Sequence, residues 1–172
     1  PKYDPILLAS GLSKNVVSST SVTYTPSTLA TQSSVTLYVN YDGVRHKVTG
    51  CRGTFSISCS VNEIPRINFE MQGIFNTPTD TALPTVTKSQ QPDPVLFKNG
   101  NTSSFSVFGF SGALQSWELD FANEVIYREL VGGTKEALIT DRRPSGTMVV
   151  EAVALSSKNF FTLATGTTTG TN

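Results

Sequence analysis

The residues whose types could do chemistry are few, and their spacing does not favour it. Glu118 and Asp120 stand two apart on one face of an alternating run. Carboxylate pairs act as acid and base in glycoside cleavage, but such pairs usually come from distant positions. Two on one strand face read as solvated or interface-facing charges. The single histidine, His46, shares its alternation with Val44 and Val48 and reads as a half-buried sheet residue. No nucleophile or carboxylate stands at a recognisable triad spacing from it. Cys51 and Cys59 are eight positions apart. In one strand they would lie roughly 26 Å apart, beyond bonding reach, whereas a turn at Arg52-Gly53 would leave a bridge open. The favoured reading is free structural thiols, as suits a reducing compartment. One histidine and two cysteines make no ligand set, so no metal is expected. HExxH, GxSxG, GxGxxG and Walker-type spacings are absent, so neither catalytic residues nor a cofactor is expected. Asp141-Arg142-Arg143 reads as an ion-paired strand end or subunit contact, too small for a nucleic-acid patch.

Composition points the same way. The 172 residues suit one domain with a real core. Apolar content of 38% and charged content of 15%, with Ser and Thr filling the gap, favour β structure with polar loops. Thirteen basic and thirteen acidic residues cancel. No basic field marks a nucleic-acid binder, and zero net charge weakly favours assembly. No apolar run approaches 18 residues, so no membrane span is expected. The chain opens on Pro1 without a signal-peptide pattern and closes on a Gly/Thr tail, so both ends read as cut points in a longer protein.

The elements are legible in order. Asp4-Pro5 starts a short helix with Asp4 as N-cap, and Gly11 closes it. Ser18 to Thr25 is extended. Val35, Leu37 and Val39 alternate, Asp42-Gly43 turns, and Val44 to Val48 returns. Gly50 to Gly53 reads as another turn. Phe55 to Val61 and Ile67 to Met71 then complete a four-strand meander from Val35 to Met71. Residues 76–94, with Pro78, Pro84, Pro92 and Pro94, read as a long exposed connection or arm. Pro78, Asp80, Leu83, Pro84, Val86 and Lys88 are its candidate contacts with a neighbouring subunit. Ser103 to Phe110 reads as a central strand. Ser116 to Gly146 reads as a three-stranded antiparallel meander, with Trp117, Leu119 and Phe121 buried and Gly132-Gly133 at a turn. Thr147 to Val153 is extended, and Ser156 to Ala164 a short helix capped by Ser156 or Ser157.

That meander also carries a resemblance. SWELDFANEVIYRELVGGTKEALITDRRPSG resembles the corresponding segment of tail tube (major tail) proteins of long-tailed bacteriophages. There an S-x-x-L-D-x-x-N-x-V strand precedes a charged hairpin ending in ITDR-x-P-x-G. Asp4 to Ser13 resembles the family's LL-x-x-G-x-S helix, and Val22 to Pro26 its V-x-Y-x-P strand. Thr49 to Thr54 resembles its G-x-R-G turn, and Phe69 to Phe75 its F-x-x-x-G-x-F/Y strand. The likeness covers most of residues 3–165, its motifs specific mainly by their number and order.

The resemblance implies a mainly-β, antiparallel sandwich or barrel-like tail-tube fold with one or two short flanking helices, related to tubes of contractile tails and type VI secretion. It implies a non-enzymatic virion protein, assembled in the host cytoplasm. Six-fold rings of this chain would stack into a hollow conduit for DNA, beside other phage tail proteins. Arg142 and Arg143 become further subunit-contact candidates, and Glu118, Asp120, Arg128 and Glu129 become lumen or interface charges. The competing reading is a β-sandwich adhesin or carbohydrate-binding module of a fibre or surface protein.

Overall fold

The computed structural model describes residues 2–28, 30–87, 93–102, 105–107 and 109–166. The chain is mainly β, with 52% strand and 7% helix. The order is α1 (Asp4–Ala9), β1 (Leu12–Val17), β2 (Ser21–Pro26), β3 (Val35–Tyr41), β4 (Val44–Ser60), β5 (Arg66–Asp80), β6 (Leu114–Asp120), β7 (Asn123–Arg128), β8 (Glu136–Arg142), β9 (Ser145–Val150) and α2 (Phe160–Thr165). β1 pairs with β2 and β7 with β8, each as an antiparallel hairpin; β3, β4, β6 and β9 follow one another in a sheet, with β5 also on β4. Two compact units emerge: the described residues of Pro1–Ile57, Arg66–Asp93 and Leu119–Gly146, and those of Ser58–Pro65, Pro94–Glu118 and Thr147–Asn172.

In the first unit, the Asp42-Gly43 hairpin forms as its sequence demands. Asp42 has φ 45° and Gly43 φ 81°, the doubly left-handed turn that joins Tyr41 to its partner Val44. His46 is exposed rather than half-buried, because it pairs with Val39 near the hairpin end, where that residue is exposed too. The expected turn at Gly50–Gly53 is absent. Both glycines lie inside β4, a single strand of 17 residues, so the meander has three strands and not four. Gly53 serves a close approach instead: a Cβ there would collide with the Glu70 carbonyl oxygen and Met71 Sδ on β5.

The core of this unit is Leu12, Phe55 and Phe121, with Leu7, Tyr24, Ile57 and Phe69 against it. Phe55 stacks on Phe121 at 4.8 Å between ring centroids and tilts toward Phe69 at 6.0 Å. Cys51 and Cys59, on the one strand β4, are both buried and free of disulfides, and burial pushes both thiols up in pKa.

Two further expectations change in this unit. Asp4 begins α1 but does not cap it; Tyr3 occupies the cap position without a side-chain bond. The Asp4 carboxylate instead accepts from Lys14 Nζ and Tyr24 Oη, fastening the β1–β2 hairpin to the helix. Those bonds, Lys14 first, hold the Asp4 carboxyl down at about 2, and the same contact pushes Tyr24 up to about 12. A carboxyl depressed in the folded state adds stability that is complete above its unfolded value of 3.8 and is lost as pH falls toward 2. Asp4→Asn should therefore flatten the fall in thermal stability across that window, leaving a weaker pH dependence in melts followed by circular dichroism.

The second change concerns β5, which continues through Pro78 to Asp80, so the start of the expected arm is strand. Proline is tolerated because, among the described strands, β5 pairs only with β4 and has no strand on its other edge.

The run from Ser116 to Gly146 is not one meander. β6 belongs with β4 and β9, whereas β7 and β8 form their own sheet. The break falls at Ala122, left-handed at φ 46°, whose N–H donates to the Asp120 carboxylate at 2.9 Å. Phe121 N–H still bonds the Phe55 carbonyl at 3.0 Å before the chain turns away.

In the second unit, Val61 N–H donates to the Gln115 carbonyl, and Phe97 is tied to the 61–63 turn by accepting from Asn62 N–H at 2.9 Å and donating to the Glu63 carbonyl at 2.8 Å. Trp117 is half-buried rather than buried. The strand expected at Ser103–Phe110 is absent among its described residues. Only an isolated bridge joins Val107 and Phe110, with Gly109 left-handed between them, and Phe108 lies outside the described residues. An apolar run packed as a loop has the same composition as a buried strand. Phe110 meets Phe160 of α2 edge-on at 5.7 Å. The α2 cap is Asn159, accepting from Phe161 and Thr162 N–H at 3.1 Å, and not Ser156 or Ser157.

Candidate assembly surface

The sequence-nominated charges fall into three environments. Glu118 and Asp120 are exposed on β6, as their alternation with Trp117, Leu119 and Phe121 requires. Arg128 and Glu129 belong to the β7–β8 hairpin and are paired within it. Arg128 bonds Glu136 at 2.5 Å, its cross-strand partner, and Lys135 bonds Glu129 at 2.5 Å. Tyr127 Oη adds a bond to Glu129 at 3.1 Å. Lys135 first and Tyr127 second hold the Glu129 carboxyl below its usual range. These are exposed pairs that shape the hairpin more than they stabilise it.

Arg142 and Arg143 part company. Arg143 is exposed and pairs with Asp141 at 2.9 Å. Arg142 turns inward, its guanidinium 4.7 Å from the centre of the Phe121 ring. It donates to the Gly11 carbonyl at 2.8 Å, to Asn123 Oδ1 at 3.0 Å and more weakly to the Ser27 carbonyl. Asn123, only 8% exposed, sends Nδ2 to the Ser10 and Gly53 carbonyls at 2.7 and 2.8 Å. One amide thus joins the end of α1, the middle of β4 and the end of β8. Nearby, Gln32 reads the backbone of Ile139 in both directions, at 2.6 and 2.9 Å. Arg52 donates to the Ala137 and Gln32 carbonyls, while its Nε is buried without a partner among the described residues. Sequence reasoning missed Asn123 and Gln32, because a lone buried amide leaves no periodic signal.

The arm candidates are scattered in exposure. Pro78 is half-buried in β5 and Asp80 exposed at its end. Leu83 and Val86 are 63% and 69% exposed, Pro84 is also exposed, and Lys88 lies outside the described residues. The sequence did not single out β3. Among the described residues it pairs with β4 alone, which leaves its outer edge without a strand partner there, and Tyr38, Val39 and Tyr41 on it are exposed. An open edge bearing large apolar groups is a template for another chain. Among the described residues no group of three or more His, Cys, Asp or Glu could hold a metal, and no helix is long and apolar enough to cross a membrane.

Surfaces of this kind suit a chain that meets others, and the comparison of the sequence with protein families decides which kind. A family described as phage tail tube protein matches residues 6–171. The chain belongs to the phage tail tube protein family. The comparisons with curated proteins and with solved structures gave no significant match. Membership makes the chain a structural component of the virion tail.

Proposed function

We propose that this chain is the repeating subunit of a tail tube, closing side by side into six-fold rings that stack into a hollow conduit for DNA. The observation that carries this reading is the family match across residues 6–171. The exposed outer edge of β3 supports it, because closing a ring pairs edges that a monomer leaves open. Net charge of zero supports a wall past which DNA slides without being held. In this reading the protein works by geometry and not by catalysis, alongside other tail proteins in a virion assembled in the host cytoplasm. Glu118, Asp120 and Arg143 are exposed charges available to the lumen or to a neighbour.

Leu83, Pro84 and Val86, exposed on the connection after β5, are proposed to lie against the adjacent subunit. Deleting residues 82–87 should leave the denaturation midpoint nearly unchanged, since changes in loop length cost little. It should shift sedimentation at matched concentration toward smaller species. A deletion variant that assembles like the parent chain would remove the arm from the account.

A further inference from the structure

The β7–β8 hairpin ends in an apolar tip. Leu130 is 55% exposed and Val131 is fully exposed at 109%, so the valine is not covered by any of the described residues. The tip is nonetheless shaped: Gly132 is left-handed at φ 76°, and Gly133 N–H closes the turn on the Leu130 carbonyl at 3.0 Å. Below it, the pairs Arg128–Glu136 and Lys135–Glu129 form a collar whose four charges cancel.

The second compact unit carries a groove of about 770 Å³, lined by Val61, Ala113, Leu114 and Val149, with Glu151 among its polar residues. Val61 and Val149 are 42% and 42% exposed. We propose that the Leu130-Val131 tip of one copy seats in this groove of another copy, a head-to-tail contact between subunits. The inference rests on the tube reading above and deepens it by naming the two surfaces.

Three observations favour a second copy as the occupant. Tip and groove are different patches of one chain, the relation that generates rings and filaments in place of closed pairs. The groove has room for two aliphatic side chains and the turn that carries them. The collar keeps its own ion pairs on approach, so docking strands none of the tip's charges, and of the groove's lining only Glu151 is charged. The same pairing argues against DNA at the tip, because both cations are already neutralised.

The test uses two chains, Val131→Cys and Val149→Cys, mixed, allowed to assemble and oxidised. Native Cys51 and Cys59 are buried and stay out of the reaction. The expected result is a disulfide-linked dimer in the mixture, formed at least about tenfold faster, once each rate is normalised to that thiol's reactivity toward a small disulfide reagent, than with Val17→Cys, a 50% exposed control on another hairpin, in place of Val131→Cys. In parallel, Val131→Asp should raise the concentration needed for assembly at least about tenfold with an unchanged melting temperature. Assembly with cross-linking no faster than the control, or with Val131→Asp assembling normally, overturns the docking and leaves the tube reading standing. A parent chain that never assembles overturns both.

Discussion

Gly53→Ala is expected to destabilise the chain by about 3 kcal/mol or more, toward the upper end of what one added methyl does in a packed interior. The methyl would occupy the space of the Glu70 carbonyl oxygen and of Met71 Sδ. The methionine can swing away, but the carbonyl is part of β5 and moves only if the strand moves. Gly73 makes the reciprocal approach, where a Cβ would fall 2.6 Å from Cys51 Sγ and 2.8 Å from the Thr49 carbonyl oxygen. Gly43→Ala separates crowding from backbone strain: nothing lies within 4 Å of its Cβ position, so only the cost of φ 81° remains, about 1 kcal/mol. Urea denaturation of the two variants should rank Gly53→Ala well below Gly43→Ala. Equal losses would show that the β4–β5 approach is not tight.

Asn123→Ala should be comparably severe, about 3–5 kcal/mol, for a different reason. It removes two donors from the Ser10 and Gly53 carbonyls and one acceptor from Arg142 Nε. Each buried polar group left without a partner costs about 1–3 kcal/mol. The Gly11 carbonyl, by contrast, is also bonded by Ser27 N–H and Oγ, so it would not be left bare by losing Arg142. Asn123→Asp keeps the acceptor for Arg142 but turns an oxygen toward two carbonyls, so it should fail to rescue. Arg143→Ala removes an exposed pair and should change stability by less than about 1 kcal/mol. An Asn123→Ala chain as stable as the parent would mean that the amide does not fasten α1, β4 and β8 together.

What the sequence could and could not show follows from the same physics. The β3–β4 turn was legible because Asp-Gly favours one doubly left-handed conformation, and the alternation of β6 because one of its faces is wet. Gly50 and Gly53 misled because glycine serves two ends, turning a chain and letting a strand come close. The β1–β2 hairpin was only half read: Ser19 turns it left-handed without a glycine, and its strands are exposed almost throughout, so neither turn nor alternation marks β1. The helix at Asp4-Pro5 was found, but Asp4 was given the wrong partner, since Lys14 and Tyr24 reach it only after the hairpin folds back. Arg142 and Arg143 are adjacent and identical in type, yet one stacks over Phe121 and the other pairs in solvent. Arg142 is the last residue of β8, past the register shift that leaves Thr140 unpaired and breaks the alternation running through Ala137 and Ile139, and Arg143 lies beyond the strand. Asn123 looked like a break in an apolar run, but the break is at Ala122 and Asn123 opens β7; that it is the buried hub depends on three segments distant in sequence.

The central claim is that this chain builds a tube by meeting copies of itself. Negative-stain electron microscopy of the purified protein over a range of concentrations tests it most directly. The account predicts rings with six-fold end views, and stacks of them as concentration rises. Single particles of one-subunit size at every concentration, with sedimentation giving a lone monomer, would contradict it.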